Sequence, residues 1–162
     1  MKKLLSFFIC ITCIFSIFSF SIKATEQEFT PYVIDFSLKP VRTDSTITES
    51  DSRATGLINS YSLSLSSTGT TLNIYGLTNG STEVIKCGFK NLIIQRRLSS
   101  NYSWEEYYDY GNIYIDGSGA SLNTKLVVES GYQYRISCKH YAKKNILSVQ
   151  TIANTSNIVT VS

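Results

Sequence analysis

Residues 61–74 of the 162-residue chain decide the fold class: Tyr-Ser-Leu-Ser-Leu-Ser-Ser-Thr-Gly-Thr-Thr-Leu-Asn-Ile. Tyr61, Leu63 and Leu65 alternate with serine, and Leu72 and Ile74 resume the alternation after turn residues at 67–69. A period of two is typical of strands that bury one face and expose the other. The stretch therefore predicts a half-buried β-hairpin.

Short β-prone segments separated by turn residues continue from this hairpin to the C-terminus, at 84–97, 102–110, 113–115, 120–128, 132–141, 146–153 and 157–161. Apolar residues on both sides of 84–97 predict a central strand or a bulge near Gly88. No segment after Gly56 keeps a helical period. Residues 57–162 are therefore predicted to form an all-β domain, an antiparallel β-sandwich or, as the alternative, a small β-barrel.

The first 24 residues have the pattern of a secretory signal peptide. Lys2 and Lys3 precede an uncharged, largely apolar run at 4–22, and Ala24 offers a small residue before a polar chain. We therefore expect a secreted protein with no stable membrane insertion after cleavage. The alternative is a protein tethered by an uncleaved signal anchor, because the run approaches the length that spans a bilayer.

Residues 25–56 are polar and predict a largely flexible N-terminal arm, since they hold too little apolar surface to offset the entropy of ordering. Within this arm only residues 32–38 are apolar enough to add an edge strand to the domain.

The formal net charge of +3 includes Lys2, Lys3 and Lys23 of the signal segment, and without them 12 basic residues face 12 acidic ones. A neutral chain predicts neither nucleic acid nor anionic lipid as the main partner, because both select clustered basic charge. His140 is the only histidine, which excludes a multi-histidine metal site, and no motif implies a metal or a cofactor.

An aromatic cluster gives the candidate binding residues, which are Tyr102, Trp104, Tyr107, Tyr108 and Tyr110. Clustered Tyr and Trp mark many interfaces and could contact a glycan or a protein. Sandwich strands also use aromatic residues for core and cross-strand packing, so this alternative stays open.

Cys87 and Cys138 are the two cysteines beyond the signal segment. In an exported chain such a pair could form a disulfide, and the alternative is two buried free thiols. His140 shares an alternating side with Tyr134 and Cys138, which predicts a packed structural histidine.

Residues 92–142 resemble the second half of a fibronectin type III or similar immunoglobulin-like sandwich. The resemblance rests on Ile93-Ile94-Gln95-Arg96 followed by Trp104, and on the passage from Leu126 to Cys138. It implies that Tyr132 or Tyr134 forms a tyrosine corner, in which the hydroxyl bonds to nearby backbone. Within residues 57–161, Trp104 and the motifs at 92–96, 131–135 and 139–142 also resemble an uncharacterised family of small secreted proteins from Gram-positive bacteria, a domain of unknown function.

These observations favour a secreted, non-enzymatic β-sandwich module that acts by surface recognition of a glycan or protein partner. The alternative is a small secreted β-pore-forming or bacteriocin-like toxin, because residues 60–74 resemble the amphipathic hairpins that line β-pores. A hydrolase is the least favoured reading, since its only candidates are the unspecific carboxylates of Glu105, Asp109 and Asp116.

Overall fold

A computed structural model describes residues 29–41 and 56–162. The signal peptide predicted at 1–24, and residues 25–28 and 42–55 of the predicted arm, lie outside the described residues. The described chain forms nine strands: β1 Tyr32–Pro40, β2 Ile58–Thr68, β3 Thr71–Gly80, β4 Lys86–Arg97, β5 Glu105–Asp116, β6 Gly119–Val127, β7 Tyr132–Asn145, β8 Ser148–Thr155 and β9 Val159–Val161. Among these residues there is no helix long and apolar enough to cross a membrane.

The strands form two antiparallel sheets. Sheet A has the order β1-β6-β3-β2, and sheet B has the order β5-β4-β7-β8, with β9 following β8 along the same edge of β7. Within the described ranges the two sheets are not closed into a barrel, so the predicted β-sandwich is confirmed and the barrel alternative is not adopted. The order resembles an immunoglobulin-type sandwich in which β2, β3 and β6 take the places of strands A, B and E, and β4, β7 and β8 those of C, F and G.

The predicted hairpin is β2 and β3, which pair from Ile58↔Gly80 to Thr68↔Thr71. Leu63, Leu65, Leu72 and Ile74 are buried in the core, while the alternating serines of β2 point outward. Burial of an aliphatic side chain contributes about 1.5–3 kcal/mol, so this alternation fixes which face of the hairpin meets sheet B. The aliphatic side chains of the hairpin that resembled a pore-lining one are thus part of the core. Tyr61 is 44% exposed, and its ring centroid lies 4.9 Å from that of His140.

Strand β1 comes from within the predicted arm. It pairs antiparallel with β6 from Tyr32↔Val127 to Pro40↔Ala120, with an irregularity between Val33 and Asp35. Val33 and Leu38 pack against the core. The edge strand expected at 32–38 is therefore present, and it adds a strand from outside residues 57–162 to the sandwich.

Strand β4 lies between β5 and β7, as the apolar residues on both its sides predicted. Its bulge is at residues 90–92 rather than at Gly88, and Asn91 has a φ of 51° there. The predicted separate strands at 102–110 and 113–115 are wrong, because β5 is one strand that bends at Gly111 (φ 72°). The side chain of Asp109 stabilises this bend by accepting the Gly111 N–H at 2.6 Å.

The tyrosine corner implied by the fibronectin-like resemblance is present at Tyr134. Its side chain is fully buried, and its hydroxyl donates to the backbone carbonyl of Glu129 at 2.7 Å. The bond ties the start of β7 to the β6–β7 connection. It therefore fixes the end of sheet B at which Arg96, Arg97 and Arg135 lie.

Candidate binding face

The outward side chains of β4 and β7 form one continuous surface on sheet B. Along β7 the residues from Tyr134 to Ala142 alternate between buried and accessible, so every second side chain points to solvent. The register with β4 places the outward residues of the two strands side by side. We call this surface the cationic face, because its outward residues include Lys86, Lys90, Arg97, Arg135, Lys139 and Lys143.

Two pairs of lysines lie directly opposite each other on this face. Lys86 is opposite Lys143, and Lys90 is opposite Lys139. Like charges directly opposite on neighbouring strands destabilise a sheet, so each pair is a local cost to the fold. Only Lys86 has a counter-ion among the described residues, Asp116 at 3.3 Å.

The other end of the cationic face carries Arg97 and Arg135 around Trp104. The guanidinium carbons lie 4.4 Å and 4.3 Å from the indole ring centroid, within the range of cation–π attraction. The Nε–H of Arg97 donates to Gln133 Oε1 at 2.9 Å, and that of Arg135 donates to Gln95 Oε1 at 2.8 Å. These contacts orient both guanidinium groups, and because the acceptors are amide oxygens, neither charge is neutralised by them.

The electrostatics of this end reflect the crowding of positive charge. Partial burial, followed by the neighbouring charge of Arg97, lowers the pKa of Arg135 below its ordinary value. Among the described residues, Lys90, Arg97, Arg135, Lys139 and Lys143 have no carboxylate within 4.0 Å. The acidic residues of the face lie along its β5 edge. Asp116 is opposite Lys86, Asp109 is opposite Ile93 and Glu106 is opposite Gln95.

An aromatic pair lies in the middle of the face. Tyr114 of β5 and Tyr141 of β7 flank Gly88 of β4, and their ring centroids are 4.7 Å apart. A Cβ atom at Gly88 would lie 2.1 Å from the carbonyl oxygen of Ile113, so only glycine fits there. The two rings therefore meet across the glycine and add flat apolar surface between the two lysine pairs.

The five predicted binding residues do not form one surface. Tyr102 is exposed in the β4–β5 connection and Trp104 lies on the cationic face, but Tyr107, Tyr108 and Tyr110 pack against the core. The Tyr107 ring is 5.4 Å from that of Tyr134, and its hydroxyl accepts the Glu129 N–H at 3.3 Å. Burial raises the pKa of Tyr110 to about 12. Of the five residues, the structure therefore places Trp104 on the cationic face, whereas Tyr107, Tyr108 and Tyr110 face inward along the bulged β5.

Arg96 lies on the opposite side of β4 from the cationic face. Its guanidinium contacts Glu105 at 2.6 Å and Glu129 at 2.7 Å, and lies over the rings of Tyr107 and Tyr132. Both carboxylates are thereby held at the end of the sandwich. Of the three carboxylates considered for a hydrolase, Glu105 bonds Arg96, Asp109 bonds Gly111 and Asp116 bonds Lys86, so each has its own partner.

His140 is a buried structural residue, as its alternation predicted. Asn154 Nδ2 lies 3.2 Å from its Nε2, and Thr78 Oγ1 lies 2.8 Å from its Nδ1. The Thr78 hydroxyl donates to the carbonyl of Gly88, so it accepts from His140, and the ring carries its proton on Nδ1. Burial lowers the pKa of His140 to about 4, which keeps the ring neutral at physiological pH.

Of the two alternatives left open for Cys87 and Cys138, the structure has the second, since both are buried free thiols. Cys87 lies opposite Ala142, so Cys138 is four residues away along β7, a distance of about 13 Å. A disulfide requires Cα atoms less than about 7 Å apart. Cys87 instead donates to the carbonyl of Ser118 at 3.1 Å.

Sequence reasoning missed most of the cationic face, although a signal was present. Arg135, Lys139 and Lys143 recur every fourth residue, always at the polar positions of the alternation through 132–143. This spacing in a strand puts all three on one side. The net neutrality of the chain beyond the signal segment concealed the pattern, because a net charge averages over every surface.

A scan of protein-family models, a search of curated proteins and a search of solved structures each found no match to the chain. The resemblance to an uncharacterised secreted family therefore stays a prediction from its short motifs.

Proposed function

We propose that this protein is an exported, non-enzymatic recognition module that binds an anionic polysaccharide of a cell surface along the cationic face of sheet B. The observation that carries the proposal is the arrangement of Lys90 opposite Lys139 beside Lys86 opposite Lys143. A fold that keeps like charges side by side at a cost gains most from a ligand that neutralises them. Export is expected from the signal pattern at residues 1–24.

A repeating polymer suits the face better than a compact ligand. Arg135, Lys139 and Lys143 are spaced about 13 Å apart along β7, and together with the cations of β4 they extend over most of the strand length. The surface is an open sheet face, so it can hold an extended chain and not only its end. A polysaccharide with regularly placed carboxylates or sulfates offers a matching series of charges.

The groups between the cations also suit a sugar chain. Gln95 and Gln133 keep amide donors, since their oxygens accept from the two arginines. Tyr114 and Tyr141 supply flat ring surface beside the lysines. Hydroxyl groups can bond the amides, acidic groups can pair with the cations, and pyranose rings can lie on the tyrosines.

The test compares ligands and variants by isothermal titration calorimetry. Heparin and polygalacturonate, as sulfated and carboxylated probes, are expected to bind and to bind more weakly as salt rises, because salt screens exposed charge. Neutral dextran is the negative control. Poly-glutamate and single-stranded DNA test the protein-like and nucleic-acid polyanions, and stronger binding to either would overturn the polysaccharide assignment.

The double variant Lys90→Gln/Lys139→Gln removes one lysine pair and is expected to weaken binding roughly tenfold. Lys39→Gln/Lys125→Gln removes two exposed lysines of sheet A, so it is the control matched in charge, and it is expected to leave affinity unchanged. The cationic face is not the recognition site if the Lys90→Gln/Lys139→Gln variant binds heparin and polygalacturonate as tightly as the unmodified protein does. The same conclusion follows if the unmodified protein binds neither polysaccharide.

A further inference from the structure

Strand β8 has one bare edge. It pairs with β7 from Ser137↔Thr155 to Asn145↔Ser148, and no strand of the described ranges pairs with its other side. β9 pairs further along the same edge of β7, so residues 156–158 stay in line with β8. The edge therefore presents a row of backbone donors and acceptors along β8, apart from the Thr155 N–H, which donates to Asn154 Oδ1 at 2.8 Å.

β8 lacks the features with which proteins usually block an edge strand. Its sequence, Ser-Val-Gln-Thr-Ile-Ala-Asn-Thr, has no charge and no proline. Its register with β7 is regular from Val149 to Thr155, and the one irregularity lies beside the turn, between Ser148 and Val149. Exposed edges are normally blunted by lysine, proline, bulges or short length, because an open edge pairs with another chain.

The other edge strands are protected. β5 carries Glu105, Glu106, Asp109 and Asp116 and bends at Gly111, and β1 has an irregularity and ends at Pro40. On β2, backbone groups of Ile58 and Leu65 are bonded by the side chains of Gln150 and Asn157. Among the described strands, β8 is therefore the edge best suited to pairing.

Exposed apolar residues lie at both ends of β8. Ile146 and Leu147 in the β7–β8 turn are 86% and 97% exposed, and Ile158 after β8 is 49% exposed. An antiparallel pair of β8 strands centred on Ile152 would bring the β7–β8 turn of one copy, with Ile146, beside the segment after β8 of the other, with Ile158. The same pairing would cover Val149, which is 48% exposed. The exposed apolar residues at the two ends of β8 would thus contact each other across the two copies.

We infer that two copies of this chain associate through antiparallel pairing of their β8 strands. The contact uses the same strand from both copies, so it closes as a two-fold dimer and does not propagate into a fibre. The two-fold axis is perpendicular to the joined sheet, and both cationic faces point to the same side. The dimer does not depend on the proposed function, although it would double the surface open to a long ligand.

Sedimentation velocity over a range of protein concentrations tests the association. The unmodified protein is expected to show a reversible monomer–dimer equilibrium. The double variant Thr151→Lys/Ala153→Lys places lysines around the two-fold axis at exposed positions. Since opposed like charges on paired strands each cost about 0.2–1 kcal/mol, the dimer dissociation constant is expected to rise roughly tenfold.

Two further proteins separate this effect from misfolding. Ser121→Lys/Asn123→Lys adds the same charge to the interior strand β6 and is expected to dimerise as the unmodified protein does. Thr151→Glu/Ala153→Glu is expected to dimerise as weakly as the lysine variant when alone, and the two variants are expected to associate more tightly with each other when mixed. An unmodified protein that stays monomeric at all concentrations, or a lysine–glutamate mixture that shows no association, overturns the inference.

Discussion

The side-chain amide of Asn157 forms two hydrogen bonds with the backbone of Leu65. The Leu65 N–H donates to Oδ1 at 3.0 Å, and Nδ2 donates to the Leu65 carbonyl at 2.8 Å. Leu65 lies on the edge strand β2 of sheet A, whereas Asn157 lies between β8 and β9 of sheet B. The amide therefore supplies the partner that a neighbouring strand would give, and it joins the two sheets along one side of the sandwich.

Replacing Asn157 by alanine is expected to destabilise the protein by about 1–3 kcal/mol, because it leaves two part-buried backbone groups of Leu65 unpaired. Chemical denaturation measures this difference in the free energy of unfolding. Asn123→Ala, at an exposed position of β6, is the control and should change stability by less than about 0.5 kcal/mol. Equal losses in the two variants would show that the Asn157 amide does not hold the sheets together.

His140 makes stability depend on pH. Its pKa is lowered to about 4 in the folded protein, against 6.5 when unfolded, so the unfolded chain binds the proton more readily. Its stabilising contribution is complete above pH 6.5 and is lost as pH falls toward 4, by about 3 kcal/mol in total. Urea unfolding at pH 7 and pH 5 measures the slope.

His140→Gln removes the titrating ring, and the stability of this variant is expected to change less between pH 7 and pH 5. Carboxylates titrate equally in both proteins, so the difference between the two slopes reports the histidine alone. Parallel slopes would mean that the buried ring is not held neutral.

The tyrosine corner gives a paired comparison. Tyr134→Phe removes the hydroxyl that donates to the Glu129 carbonyl, and a loss of about 0.5–1.5 kcal/mol is expected. Tyr132→Phe removes the hydroxyl of a half-buried neighbour on the same strand and should cost less. Thermal unfolding followed by circular dichroism compares the two variants. A larger loss of stability for Tyr132→Phe would mean that Tyr134 is not the tyrosine corner.

The two thiols are expected to be unreactive in the folded protein. Burial raises the pKa of Cys87 to about 11 and that of Cys138 to about 12, so almost no thiolate is present at neutral pH. A thiol reagent such as DTNB should react slowly with the native protein. After denaturation it should react readily with both Cys87 and Cys138. A denatured protein that reacts only after reduction, and gains the mass of two hydrogens, would instead reveal a disulfide.

Period-two alternation was sufficient to predict the β class and most strands. It located Leu63, Leu65, Leu72 and Ile74 in the core, because a strand with one buried face has an apolar residue at every second position. The alternation wrongly predicted two strands in place of β5, because Gly111 and Asn112 are residues typical of a turn. A bend within one strand has no composition that would distinguish it from such a turn.

The binding face was harder to predict because it depends on register between distant strands. Lys90 and Lys139 are 49 residues apart in sequence and meet only through the pairing of β4 with β7. Tyr107 and its neighbour Tyr108 both face inward, because the register shift between Ile94 and Gln95 interrupts the alternation there. Neither the pairing of distant strands nor a register shift can be predicted from local composition. The basic residues at every fourth position of β7 do indicate, from sequence alone, that these side chains share one side of the strand.

Mapping the bound polysaccharide by NMR tests the central claim most directly. In a titration with heparin oligosaccharides, amide signals of outward residues on β4 and β7 are expected to shift together and saturate, with the largest changes near Lys90, Lys139 and Arg135. Signals of the exposed serines on β2 should remain in place. Shifts confined to sheet A, or no saturable shifts with heparin or polygalacturonate oligosaccharides, would contradict the assignment of sheet B as the recognition surface.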